Sequence, residues 1–132
     1  MEDDGFNVLV LQAGMSWREV SILRAYAKYL RQAAFTFSQT YMEQALTNNS
    51  AIAGQIVELF KARFDTALEK GRASKCQNLV EAIEALLEDV VNLDEDRILR
   101  RFLNLVQSTL RTNYYQPNEA GDPKAYVSFK LD

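Results

Sequence analysis

An all-α fold, a bundle of five to six antiparallel helices followed by a C-terminal loop and an orphan β-strand, is what this sequence predicts, and three observations carry the prediction. Proline, the residue that most strongly interrupts a helix, occurs only at Pro117 and Pro123. Before Pro117, apolar residues recur at three- and four-residue spacing rather than in strict alternation. Helix-capping residues punctuate that pattern, and the balance of 48% apolar to 25% charged residues suits a folded domain with its own core.

Phe6, Leu9, Val10 and Ala13 mark a short first helix, with Asp3 or Asp4 placed to cap its start and Gly14 to end it in a left-handed conformation. Phe6 to Val10 also reads partly as a strand, but Leu9 breaks the alternation and no hairpin partner follows. Ser16-Trp17-Arg18-Glu19 is a capping box, in which serine and glutamate each satisfy an amide of the other's end of the turn. A helix from Trp17 to about Ala34 follows. Val20, Leu23, Ala27, Leu30 and Ala34 form one apolar stripe on it, and Ile22, Tyr26, Tyr29 and Ala33 form a second beside the first. So wide an arc implies two packing neighbours, one of them outside this chain.

Ser38 and its neighbours begin the next helix, carried by Tyr41, Met42, Ala45 and Leu46, and Asn48-Asn49-Ser50 ends it and caps its successor. Ile52, Ile56, Leu59, Phe60 and Phe64 mark that successor. After a polar break at Glu69-Lys70-Gly71, Leu79, Val80, Ile83, Leu86, Leu87, Val90 and Val91 form another stripe. Asp94-Glu95-Asp96 places negative charge where it complements a helix dipole, and Ile98, Leu99, Phe102, Leu103, Val106 and Leu110 give the last helix its buried face.

Residues 113–132 differ in kind. Their first part is a loop by composition, and Tyr126 to Leu131 alternates as a half-buried strand does. No other segment offers a convincing second strand, and an unpaired strand leaves its backbone donors and acceptors unsatisfied. The reading is therefore a helical domain over 1–112, then a linker and the first strand of a following domain over 113–132, in a piece of a longer protein. In isolation the strand is expected to be disordered or to pair with a second copy.

The chemistry is sparse. Histidine is absent, which removes the commonest general base and the imidazole metal ligand together. A single cysteine, Cys76, excludes an intrachain disulfide and suits a reducing, cytoplasmic setting; without a histidine base it reads as a bystander. The glycines are isolated, so no phosphate-cradling or dinucleotide turn is encoded. Glu81, Glu84, Glu88 and Asp89 read as a solvated face rather than metal ligands. Arg97, Arg100, Arg101 and Arg111 with Tyr114 and Tyr115 resemble a single-strand nucleic-acid surface in composition, but a net charge of −3 argues against it, and pairing with Glu81, Glu84 or Glu88 accounts for the arginines. No apolar run is long enough to span a membrane. No nucleic-acid or membrane partner, metal site, cofactor site or catalytic residue is expected in this chain.

The residues also carry a resemblance. Gly5-Phe6-Asn7, Leu9-Val10-Leu11, Ala13-Gly14, SWREVSILRAYAKYLRQ at 16–32, FTFSQTYMEQAL at 35–46, LFKARFD at 59–65, DEDRILRRFLNLVQSTLRTNYYQ at 94–116 and YVSFKLD at 126–132 are similar to a segment of the large bacterial NAD-specific glutamate dehydrogenases. The similarity weakens between Thr66 and Asn92. It implies a parent homo-oligomer whose subunits are several times longer, with this segment just before the catalytic region, that oxidises L-glutamate to 2-oxoglutarate and ammonia with NAD. None of the family's substrate lysines or dinucleotide glycines has a counterpart here. The expected role is to scaffold or regulate the catalytic region, with Trp17, Ile22, Tyr26, Tyr29, Val127, Phe129 and Leu131 as interdomain contacts. The competing class is a free-standing helical interaction module.

Overall fold

A computed structural model describes residues 5–65, 70–112, 114 and 129–131, without the side chains of Arg111 and Phe129. Asp3 and Asp4, Tyr115 and Val127 lie outside the described residues. A 3-10 turn at Gly5–Asn7 leads into α1 (Val8–Gln12), followed by α2 (Trp17–Gln32), α3 (Gln39–Asn48), α4 (Ser50–Phe64), α5 (Arg72–Leu87) and α6 (Leu93–Ser108). Two short strands complete the described chain, β1 (Thr109–Thr112) and β2 (Phe129–Leu131). The all-α class and the six helices are those the sequence predicts.

Local chemistry explains most boundaries. At the start of α2, the Glu19 amide donates to the Ser16 hydroxyl at 3.1 Å and the Ser16 amide donates to the Glu19 carboxylate at 2.9 Å, completing the capping box. Gly14, at φ +65, takes the left-handed position after α1. The end of α2 is less conventional. It closes two residues before the predicted Ala34, because Ala34 itself is left-handed at φ 61. The Phe35 amide then donates to the Leu30 carbonyl and the Ala34 amide to the Arg31 carbonyl, which is a Schellman closure built on alanine where glycine is usual.

Ser38 caps α3 by accepting from the Tyr41 amide, and Asn92 caps α6 by accepting from the amides of Asp94 and Glu95. Asn49 behaves otherwise. Its amide group donates back to the Ala45 carbonyl and across to Glu95, so it ties the α3–α4 corner to α6 instead of capping α4 with its side chain.

One core unites these elements. Phe6, Leu9, Leu23, Tyr26, Leu30, Met42, Leu46, Ile56, Phe60, Ile98, Phe102 and Val106 are all buried in it. The most extensive helix pairing is α4 with α5, while α6 lies against both α3 and α4. Only Ile83 and Leu87 of α5 are fully buried, so the long stripe read on that helix is largely half-covered, and Val91 just beyond it is 92% exposed.

The terminal strand departs from expectation. β2 pairs antiparallel with β1, with Thr109 opposite Leu131, Arg111 opposite Lys130 and Thr112 opposite Phe129. Its partner is thus inside the chain, on residues that helical periodicity assigns to α6 through Leu110. The register slips at Leu110, which is half exposed, so two residues of β1 oppose one step of β2 as in a β-bulge. The boundary expected after residue 112 falls between the two strands of this ribbon.

Candidate functional site

Of the predicted contact residues, Trp17, Ile22, Tyr26, Tyr29 and Leu131 have described side chains. Ile22 and Tyr26 are fully buried against this chain's own elements. The apolar arc of α2 is wide because α1, α3, α4 and the start of β1 all pack around it. Trp17 and Tyr29 stay partly exposed. They are twelve residues apart on one helix, hence about 18 Å along its axis and about 120° around it, too far to make one patch. Leu131 is half-buried and packs on the core.

The structure instead gathers functional geometry where α6 becomes β1. Thr109 is fully buried, and it shares the buried polar class with Glu43 among the described residues. Its hydroxyl donates to the Leu105 carbonyl at 2.7 Å and lies 2.6 Å from the Tyr26 hydroxyl. A threonine has one hydroxyl proton, so once it is given to Leu105 the Tyr26 hydroxyl must be the donor of the second bond. Burial outweighs that bond and holds the Tyr26 phenol well above its usual pKa, so the donor stays protonated.

Around this pair the same two groups of elements meet repeatedly. The Tyr26 ring meets Phe60 edge-on at 6.2 Å, and Phe60 meets Tyr114 edge-on at 5.6 Å. The Arg18 guanidinium sits 4.2 Å from the centre of the Tyr114 ring, and burial raises that phenol's pKa. Arg63 donates to the Val106 carbonyl. Beside them Lys61 of α4 bonds Glu19 of α2 at 2.8 Å. Burial alone pushes the Glu19 carboxyl up, but the hydrogen bonds from Lys61 and the Ser16 amide, with the lysine charge, outweigh it and hold Glu19 below its usual value.

Arg100 pairs with Asp96 on its own helix at 2.9 Å, and Glu84 of α5 and Glu88 just after it act on Arg100 only through longer-range charge. Glu81, Glu84, Glu88 and Asp89 are exposed. Among the described residues no three of His, Cys, Asp and Glu are grouped to hold a metal ion, and no helix is long and apolar enough to cross a membrane.

Residues 1–66 match the family described as "Glutamate dehydrogenase, helical motif 3", and residues 82–132 match "Bacterial NAD-glutamate dehydrogenase, catalytic domain". This chain belongs to the large NAD-specific glutamate dehydrogenase family. It is 47% identical over 134 residues to the NAD-specific glutamate dehydrogenase of Pseudomonas aeruginosa and 44% identical over 133 residues to that of Halomonas elongata, covering 99% of this chain in both. With the Mycobacterium tuberculosis enzyme of the same name it shares 49% identity over 117 residues, 87% of this chain. The chain spans only 8% of the length of the first two relatives and 7% of the third.

Set on the fold, the helical-motif match takes in α1 to α4, and the catalytic-domain match takes in the end of α5 (82–87) with α6, β1 and β2. The Tyr26–Thr109, Phe60–Tyr114, Arg18–Tyr114 and Arg63–Val106 contacts therefore each join one matched segment of the dehydrogenase family to the other. Sequence reading places Tyr26 on the right helix but misses Thr109, Phe60 and Arg18 as a group. Their meeting depends on where α6 stops, and no periodic signal marks that stop.

Proposed function

We propose that this chain is a non-catalytic scaffolding segment of a large NAD-specific glutamate dehydrogenase, whose remaining sequence carries the oxidative deamination of L-glutamate to 2-oxoglutarate and ammonia with NAD as hydride acceptor. The observation that carries this reading is the shared core: α6, from the segment matched to the catalytic domain, packs between α3 and α4 of the helical motif. A helix buried in that way cannot be set in place without the bundle around it.

NAD is assigned to the rest of the subunit. Gly14, Gly54 and Gly71 stand singly, the first after α1, the second within α4 and the third before α5, and they make no glycine-rich phosphate turn. The partner of this chain is accordingly the remainder of its own subunit, within a cytoplasmic homo-oligomer. The organisation we favour keeps residues 1–112 as the helical scaffold and uses residues 113–132, with Val127, Phe129 and Leu131 as contacts, to lead into the catalytic region.

The test compares NAD reduction with L-glutamate by three proteins: this chain alone, the full-length enzyme, and the enzyme lacking residues 1–66. No turnover by the chain, with activity or folding lost in the deletion, supports scaffolding. Full activity in the deletion refutes it and favours a dispensable interaction module.

A further inference from the structure

We propose that the buried Tyr26–Thr109 hydroxyl pair is a positioning contact of the dehydrogenase, fixing where α6 stops and the direction in which the chain leaves the bundle toward the catalytic region. This rests on the scaffolding reading above. If α6 continued one more residue, the Thr109 amide would bond to the Leu105 carbonyl in the regular helical pattern. In the structure the Thr109 amide turns to Val106 and the residue opens to φ −71, ψ 126, while the Thr109 hydroxyl donates to the Leu105 carbonyl at 2.7 Å. The side chain thus satisfies the Leu105 carbonyl that the departing amide leaves without its helical donor.

Continuation is a real competitor. Leu110 falls one helical turn beyond Val106, so the apolar period of α6 runs through it, and helix here would draw Leu110 toward the core. In the structure Leu110 is instead half exposed at the bulge of β1. What selects the strand is the second bond of the pair. Tyr26 is fully buried in α2, its ring wedged edge-on against Phe60, and its hydroxyl donates to Thr109 at 2.6 Å. Apolar packing has no preferred direction, whereas a hydrogen bond between two buried hydroxyls is satisfied over a narrow range of distance and angle. The pair therefore does what the surrounding aliphatic contacts cannot: it fixes the orientation of Thr109, hence of β1 and the strand paired to it. Downstream, Phe60 and Arg18 hold Tyr114, keeping the chain on the same side of the bundle five residues later.

The experiment uses the full-length dehydrogenase with three variants, Tyr26→Phe, Thr109→Val and Thr109→Ser, assayed for kcat and for KM of both glutamate and NAD well below the melting temperature. The expected result is a fall in kcat of roughly threefold to tenfold for Tyr26→Phe and Thr109→Val, with Thr109→Ser restoring the parent value because it keeps the hydroxyl. Tyr26→Phe leaves the Thr109–Leu105 bond in place, so it remains informative if Thr109→Val does not fold. A lowered melting temperature with kcat and both KM values unchanged overturns the proposal, since a merely structural contact would behave that way. The deletion of residues 1–66 separates the two levels: a dead deletion beside a fully active Tyr26→Phe enzyme overturns this inference alone, whereas a fully active deletion overturns the scaffolding reading and this inference with it.

Discussion

Thr109→Val probes the joint most sharply in the 132-residue chain itself. The substitution keeps the shape of the side chain and removes its hydroxyl, which makes two bonds in a fully buried position. It withdraws the acceptor of the buried Tyr26 hydroxyl, a loss of about 1–3 kcal/mol, and also frees the Leu105 carbonyl, adding about 1 kcal/mol. Tyr26→Phe is milder, about 0.5–1.5 kcal/mol, because Thr109 still donates to Leu105. The double variant removes both hydroxyls together, so the penalty for stranding the phenol disappears while the Leu105 cost remains. Its destabilisation is therefore expected to fall short of the sum of the single effects by roughly 1–2 kcal/mol. Urea denaturation followed by circular dichroism measures all four corners of the cycle, and thermal melts give a check at roughly 3–5 °C per kcal/mol for a chain of this length. Strict additivity would refute the reasoning, because it would mean that the two hydroxyls do not depend on each other.

Three further outcomes follow from the geometry. Ala34→Gly should stabilise the chain by roughly 0.5–1 kcal/mol in the same denaturation assay, since an L residue at φ 61 is strained and Ala34 is exposed, with little packing to lose. Gly5→Ala should destabilise by about 1–3 kcal/mol, because its Cβ would lie 2.8 Å from Glu43 Oε1 and 3.1 Å from Glu43 Cβ, on a side chain that is itself buried and bonded to Gln39. The Glu19–Lys61 bridge should make stability fall with acid. Because the folded Glu19 carboxyl lies below its ordinary value of 4.5, its contribution is complete above that pH and is lost as pH drops from there through the folded pKa. In an acid titration of unfolding free energy, Lys61→Met should flatten that part of the curve, and an unchanged slope would contradict the assignment.

Most of the helical architecture is legible in the sequence because its determinants are local. Ser16, Glu19, Ser38 and Asn92 announce their caps, and Gly14 and Gly71 take the left-handed positions on either side of helices. The exit from α6 is not legible in this way. Val106 and Leu110 keep helical spacing, and what overrides them is a hydroxyl on α2, 83 residues earlier in the chain, reaching Thr109. For the same reason Ile22 and Tyr26 read as an outward stripe: periodicity gives the width of an apolar face but not how many of the chain's own elements cover it. The partner of the terminal strand is hidden by the same ambiguity, since Thr109 to Thr112 satisfies a helical period as well as a strand.

The central claim is that the segment matched to the catalytic domain is built into the core of the helical motif. Native-state hydrogen exchange on this chain, read at the core amides of α2, α4 and α6, tests it directly. One cooperative unit predicts that the slowest amides of all three helices open with the same free energy, and that Phe102→Ala in α6 lowers protection in α2 and α4 by the same amount as in α6. Exchange of α6 at a lower free energy of its own, with α2 and α4 unmoved by Phe102→Ala, would contradict the account.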